Sequence, residues 1–433
     1  MLEQLFDLKA NRTDTRTEVV AGMTTFLTMA YIIFVNPLIL ADAGMDRGAV
    51  FVATCLAAAI GSAAMAFIAN YPIALAPGMG LNAYFTYGVV KGMGHSWEIA
   101  LGAVFLSGVL FFIISATPIR EWIIDSIPRS LKLAISAGIG LFLGIIALEN
   151  AGIITAHPVT LVTLAPLDSS KVLLAVLGFV LMIALDHRGV PGAIIIAILA
   201  VSAVAMVLGL TPWGGIVSIP PSIAPTLFKM DIAGALNLGL VSIVFVFLFV
   251  DLFDNTGTLI GVAQRAGLLD KDGRLPRIGR ALLCDSGAAM AGALLGTSTT
   301  TSYIESAAGV KAGGRTGLTA LVVAVLFLAS LFIAPLAGSI PAFATAPALL
   351  FVACMMSASL RDLDWEDVTE YVPAMVTVIT MPLSFSIAHG IAFGFISYVA
   401  IKLLAGRLGD IKPAIAILAV LFVVKFVWLG GAG

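Results

Sequence analysis

Charge is what this sequence has least of. Lys, Arg, Asp and Glu make up 11% of the 433 residues, against about 25% in an average soluble domain. With 60% of its residues hydrophobic, the chain cannot cover a water-facing surface. A large soluble protein is excluded and a bilayer-embedded one is expected. The net charge of −2 gives no electrostatic case for a nucleic-acid partner. Histidine is also scarce. His95, His157, His187 and His389 fall at the ends of apolar runs and make no metal-ligand cluster. The three cysteines, Cys55, Cys284 and Cys354, lie far apart in or beside apolar runs, with neither disulfide nor metal spacing, and read as packing residues. No cofactor is expected. The mixed, charged opening MLEQLFDLKANRTDTRTE and the long run after it do not fit a cleaved signal, so the N-terminus is placed in the cytoplasm.

What the chain has in abundance is apolar runs. They cover about 19–41, 50–70, 72–90, 98–116, 131–150, 171–186, 190–209, 238–261, 280–296, 298–310, 316–336, 341–358, 372–387 and 389–405, with a further run at 412–430. Two are broken. The third holds Ala76-Pro77-Gly78-Met79-Gly80-Leu81-Asn82, whose proline and glycines stop a helix. The tenth holds the hydroxyl run Thr297–Ser302, then a short helix from about Tyr303. Each reads as an extended piece followed by a half-helix. Such backbone survives at membrane depth only where protein or a water-lined cavity satisfies it.

The two halves correspond. Shifted by 219 positions, Ala74-Leu75 falls on Ala293-Leu294, Tyr84 on Tyr303, and Phe34 and Asn36 on Phe253 and Asn255. Two related halves of seven spans, the second inverted, follow the plan of secondary transporters with a site at the midplane. The match of 196–201 with 415–420 at the same spacing is rejected, because it would put Lys402, Arg407 and Lys412 outside. Arg12, Arg16, Arg120, Arg129, Lys132, Arg265, Lys271, Arg274, Arg277, Arg280, Lys311 and Arg315 all suit cytoplasmic loops. The uncharged, proline-rich 211–225 stretch suits an outside linker. Residues 412–430 are an additional hydrophobic helix. The acidic run 361–370 reads as a solvated or interfacial helix without a site role. Val310–Gly317 is glycine-rich but lacks the Walker spacing and reads as a turn.

Candidate site residues follow from acids in apolar surroundings. Asp251 and Asp254 in span eight are three apart, hence on one helix face. Glu305 follows the hydroxyl run. Each ionised carboxylate costs roughly 3 kcal/mol near the bilayer centre, and no Lys or Arg in these spans neutralises them. They are either protonated or met by a ligand's donors. A planar heterocycle showing N–H groups fits, with Asn82 beside it, Asn255 and Thr301 in support, and Tyr84, Phe85, Phe249, Phe253 and Tyr303 as stacking faces. The plainer readings are that Asp254 and Asn82 cap helices, that Glu305 ties down the hydroxyl run, and that the aromatics pack.

Three stretches carry a resemblance: Ala76–Tyr84, Val250–Gly257 and Gly296–Ser306. They resemble the AzgA-like purine permeases, a branch of the nucleobase–cation symporter and nucleobase–ascorbate transporter group. The resemblance implies the fourteen-span, seven-plus-seven inverted repeat of uracil permease, all-α apart from the short extended pieces. It implies a core domain (1–120 and 238–338), a gate domain (121–210 and 339–410) that makes a homodimer, a linker (211–237) and a C-terminal helix (411–433). It further implies proton-coupled import of hypoxanthine, guanine or a related purine across the inner membrane. Asn82, Asp251 and Glu305 would touch the base and Asp254 would support proton coupling. The rivals are a sulfate-permease-like anion carrier, an adenine-selective permease, a channel and a membrane enzyme. The enzyme lacks any nucleophile paired with a base.

Overall fold

The computed structural model describes residues 2–117, 127–236, 241–269 and 275–428, leaving Val241, Ser242, Lys425 and Trp428 without described side chains. Arg120, Lys271, Arg274 and the end of the 412–430 run therefore lie outside the described residues. Among those described, ten helical stretches are long and apolar enough to cross a membrane, and three shorter apolar helices join them.

The first span pairs α1 (Thr15–Met29) with α2 (Ile32–Ala41). Asp14 starts α1 by accepting the Thr17 amide, and Asp46 does the same for α3 (Arg47–Ala64) through Ala49. Each occupies one of the amides a helix start leaves unpaired. The third segment is broken as expected. It runs from strand β1 (Leu75–Pro77) into α4 (Met79–Ala83) and a π-helical stretch over Tyr84–Gly92. Then come α5 (Trp97–Ser115), α6 (Arg129–Asn150), an exposed hairpin of β2 (Ile154–His157) and β3 (Leu161–Leu164), α7 (Ser170–His187) and α8 (Ala193–Val207).

The second half supplies α9 (Val241–Ala266), α10 (Ile278–Leu295), strand β4 (Thr300–Ser302), α11 (Ser306–Lys311), α12 (Gly317–Ser330), α13 (Ala342–Ser357), α14 (Val368–Leu383), α15 (Ile387–Leu404) and α16 (Pro413–Trp428). In the tenth segment the helix begins at Ser306, not at Tyr303, because Tyr303–Glu305 form the turn that leaves the strand. The constant spacing of 219 also fails locally. The two strands pair Ala76 with Thr301, and Tyr84 lies inside a helix where Tyr303 precedes one.

The 361–370 run does more than face solvent. Lys402, fully buried near the end of α15, places its ammonium 2.7 Å from Glu370 and 3.2 Å from Asp410. Arg407 reaches Asp367 at 2.5 Å and Asp410 at 2.8 Å. Glu370 also accepts from Ser130 at the start of α6. Two cations and three acids thus tie one end of α6, α14 and α15 together. Shared partners and low exposure at Lys402 lift this network above an ordinary surface pair.

Candidate functional site

The two broken segments meet as a three-residue antiparallel ladder, Leu75 with Ser302, Ala76 with Thr301 and Pro77 with Thr300. The ladder continues past its ends. Gly78 donates to the Thr299 carbonyl at 2.9 Å and Tyr303 to the Ala74 carbonyl at 3.0 Å. Side chains satisfy the outer edge. The Ser62 hydroxyl accepts from the Leu75 amide and donates to its carbonyl, and Ser306 accepts from the Ala74 amide. Extended backbone inside a membrane protein requires this completeness. Gly78 is dictated by proximity, since a Cβ there would lie 2.6 Å from the Thr301 methyl.

Two buried asparagines flank the crossing. Asn36 on α2 donates to Thr54 at 2.7 Å and Thr297 at 2.9 Å, and accepts from Asn82 at 2.6 Å. Asn82 in turn accepts from the Ser298 hydroxyl. Asn255 on α9 accepts from the Thr301 hydroxyl at 2.6 Å and the Ser302 amide at 2.9 Å. It donates to Asp251 at 2.8 Å. The 219-residue correspondence does hold at this pair. Each amide pins one half of the chain to the broken segments.

Four acids gather around this frame. Asp251 is fully buried, with one oxygen on Asn255 and the other without a partner among the described residues. Asp285 on α10 is equally buried, with one oxygen accepting from Ser302 at 2.8 Å and the other unpartnered. Glu305 is half-buried and takes the Tyr31 hydroxyl at 2.7 Å. Asp254 is exposed, yet within electrostatic reach of Asp251, Asp285 and Glu305. Asp251 and Asp254, three apart on one helix, occupy unlike environments.

The aromatic candidates separate as well. Tyr84 and Phe85 are fully buried, and the Tyr84 ring packs 4.9 Å from Phe247. Tyr303 is buried and spends its hydroxyl on the Pro77 carbonyl at 2.5 Å. Phe249 is half-buried and stacks on Phe253 at 6.3 Å and 5°. Lys132 at the start of α6 lies 5.5 Å from the Phe253 ring. Among the described residues no group of three metal-ligating side chains occurs.

Chemically this is a cluster of acceptors. Carboxylates repel anions and offer lone pairs to N–H donors or to protons. Two dry, unpartnered carboxylate oxygens need one or the other, because an unpaired buried polar atom costs about 1–3 kcal/mol. Sequence reasoning missed Tyr31, Asn36 and Asp285 as site residues. Asp285 carried the same signal as Asp251, an acid inside an apolar run. Asn36 carried one as well, its match to Asn255 at the 219-residue spacing, whereas Tyr31 carried none, since its partner Glu305 lies 274 residues away.

Comparison with known proteins agrees with this architecture. Adenine permease AdeP of Escherichia coli is 49% identical over 429 residues, covering 99% of this chain and 96% of its own length. Guanine/hypoxanthine permease PbuO of Bacillus subtilis is 44% identical over 429 residues, covering 97% and 99%. The transmembrane domain of the cyanobacterial bicarbonate transporter BicA shares the fold, with a TM-score of 0.66 at 14% identity, covering 86% of this chain and 96% of that one. The Xan_ur_permease model, described as a permease family, matches residues 16–426. The chain therefore belongs to that permease family and is a polytopic membrane transporter, not an enzyme.

Proposed function

We propose that this protein imports purine nucleobases by proton symport across the cytoplasmic membrane. Relatives named for adenine and for guanine and hypoxanthine support the substrate class. One observation carries the chemistry: buried acids with unpartnered oxygens converge on the crossing of two discontinuous segments. Adenine, hypoxanthine and guanine all present N–H groups along a planar edge. Glu305, oriented by Tyr31, and Asp251 take that edge. Phe249 offers a ring face, and Asn82, Tyr84, Phe85 and Tyr303 hold the walls. Asp251, Asp285 and Asp254 hold the coupling proton among them, with Asn255 and Thr301 keeping Asp251 in register with the strand. A carboxyl that gains its proton from one side and yields it on the other couples the gradient to the base.

The fourteen spans form an inverted seven-plus-seven repeat, with residues 1–120 and 238–338 as the moving core. Residues 121–210 and 339–410 form a gate that pairs with a second copy, and the N-terminus is cytoplasmic. The ion network at Lys402 supports a rigid gate, and the stitched crossing supports a core that travels as a unit, elevator fashion. The acids oppose an anion substrate at this site.

The test is uptake of labelled adenine and hypoxanthine in cells stripped of their own purine permeases. Accumulation that collapses with a protonophore is expected. Failure to accumulate either base, or indifference to the protonophore, refutes the proposal. Glu305→Gln keeps the shape but removes the titrating acceptor, so uptake of the base should fall at least tenfold, about the effect of one charged hydrogen bond.

A further inference from the structure

An apolar crevice lies away from the acids, between α6, α7 and α13. It holds a cavity volume of about 60 Å³ and is open on one side. Leu148 and Ala151 from the end of α6, Val176 and Phe179 from the first turns of α7, and Pro347 and Leu350 from α13 line it. Among the ten long spans of the described residues, α7 is the least covered by protein, with 28% of its apolar window buried. Its outer face shows Leu173, Leu177 and Val180, each more than half exposed, and Val176 in the crevice lining is itself partly exposed, so the crevice opens on the outer surface of the helix bundle. A void here would forfeit dispersion contacts along its whole lining.

One polar group stands above it. Lys171, in the first turn of α7, is exposed and has no ion-pair or hydrogen-bond partner among the described residues. Lys171, Ala175 and Phe179 are spaced by four and share one stripe of the helix. At 1.5 Å per residue, Phe179 lies about 12 Å below Lys171 along the axis. That is the arrangement of a phospholipid, with a phosphate at the interface and an acyl chain running inward beneath it. Lipid tails are as apolar as leucine, so the chain alone gains little by entering. The charge at Lys171 supplies the preference, and the crevice fixes where the chain lies.

We propose that α6, α7 and α13 hold one phospholipid, its phosphate on Lys171 and one acyl chain in the crevice lined by Val176 and Phe179. Lys171 can extend along its own stem to meet the headgroup, as lysines at the ends of membrane helices do.

Native mass spectrometry of the full-length protein tests this, with phosphatidylglycerol and phosphatidylethanolamine added back after detergent has stripped the bulk lipid. The unmodified chain should keep one phospholipid. Val176→Trp, at a 44% exposed position, fills the crevice and should lose it. Lys171→Glu leaves the lining intact and should lower retention about fivefold or more, the scale of one basic residue at a membrane surface. Leu177→Trp, one residue on and facing outward, should change nothing. Equal retention in the unmodified, Val176→Trp and Lys171→Glu proteins overturns the proposal. So does an equal loss in Leu177→Trp, or a loss of dimer with no change in lipid. If Val176→Trp does not fold, Lys171→Glu decides alone, because Lys171 is exposed and has no ion-pair or hydrogen-bond partner among the described residues.

Discussion

Asn255→Ala is the sharpest test of how the site is built. The Asn255 amide makes three bonds inside the protein: from Thr301 at 2.6 Å, from the Ser302 amide at 2.9 Å, and to Asp251 at 2.8 Å. Truncation strands a buried backbone N–H, at about 1–3 kcal/mol, and removes a donor to a carboxyl group, at about 1.5–3 kcal/mol. The Thr301 hydroxyl can turn to another acceptor and adds little. The expected loss is therefore about 4 kcal/mol, which lowers the melting temperature by roughly 4–5 °C in a chain this large. Thiol-reactive dye unfolding suits the protein, because Cys55 and Cys284 are buried and report unfolding, while exposed Cys354 sets the baseline. Uptake should fall with stability, since β4 is then free to leave α9. Asn255→Asp keeps the oxygen that accepts from Thr301 and Ser302 and replaces the donor facing Asp251 with an acceptor. It should fold, and its uptake should shift to lower pH, where a proton bridges the two carboxylates. A melting temperature and uptake for Asn255→Ala equal to those of the unmodified protein would refute the claim that this amide joins α9 to the crossing.

Other perturbations follow from the same geometry. Tyr31→Phe removes the 2.7 Å hydroxyl from Glu305 and should raise KM for the base several-fold with little change in melting temperature, measured by initial uptake rates. Gly309→Ala places a Cβ 2.5 Å from the Ala21 carbonyl and 2.0 Å from the Thr25 hydroxyl. It should push α11 off α1 and sharply reduce the folded yield, read by size-exclusion of a fluorescent fusion. Asp367 bonds to Thr369 and Arg407, which holds its carboxyl down to about 2. A lowered folded-state value means that this contribution is complete above about pH 4 and fades as pH falls toward 2. Asp367→Asn should flatten that part of the melting-temperature profile, and an unchanged profile would count against the network.

Much of the scaffold was legible because it is written in local chemistry. Pro77 and Gly78 in one run and six hydroxyl residues in another marked the broken segments, and apolar length marked the spans. Asp251 stood out by its cost in lipid. What sequence could not supply was pairing at a distance. The partners of Asn36, Asn82 and Glu305 are set by how α2, α4 and α11 come together, and no periodicity encodes that. The reading of Asp251 and Asp254 as one face was correct helical geometry but blind to depth, since a 300° step still leaves one buried and the other exposed. Lys402 was legible only as a marker of sidedness. Its burial depends on Glu370 and Asp410 arriving from other parts of the chain.

The ladder between β1 and β4 also sets a schedule for synthesis. Ala76 pairs with Thr301, so the first strand leaves the ribosome some 225 residues before its partner. At about 5–20 residues per second this interval lasts roughly 10–45 s. Throughout it the half-made protein carries a stretch of main chain whose amides and carbonyls have no mate. Whatever shelters that stretch, whether the insertion machinery or a provisional fold of the first half, must release it once the second strand arrives. Premature truncation anywhere before Thr300 leaves an insertion product with an open edge, a natural mark for membrane quality control.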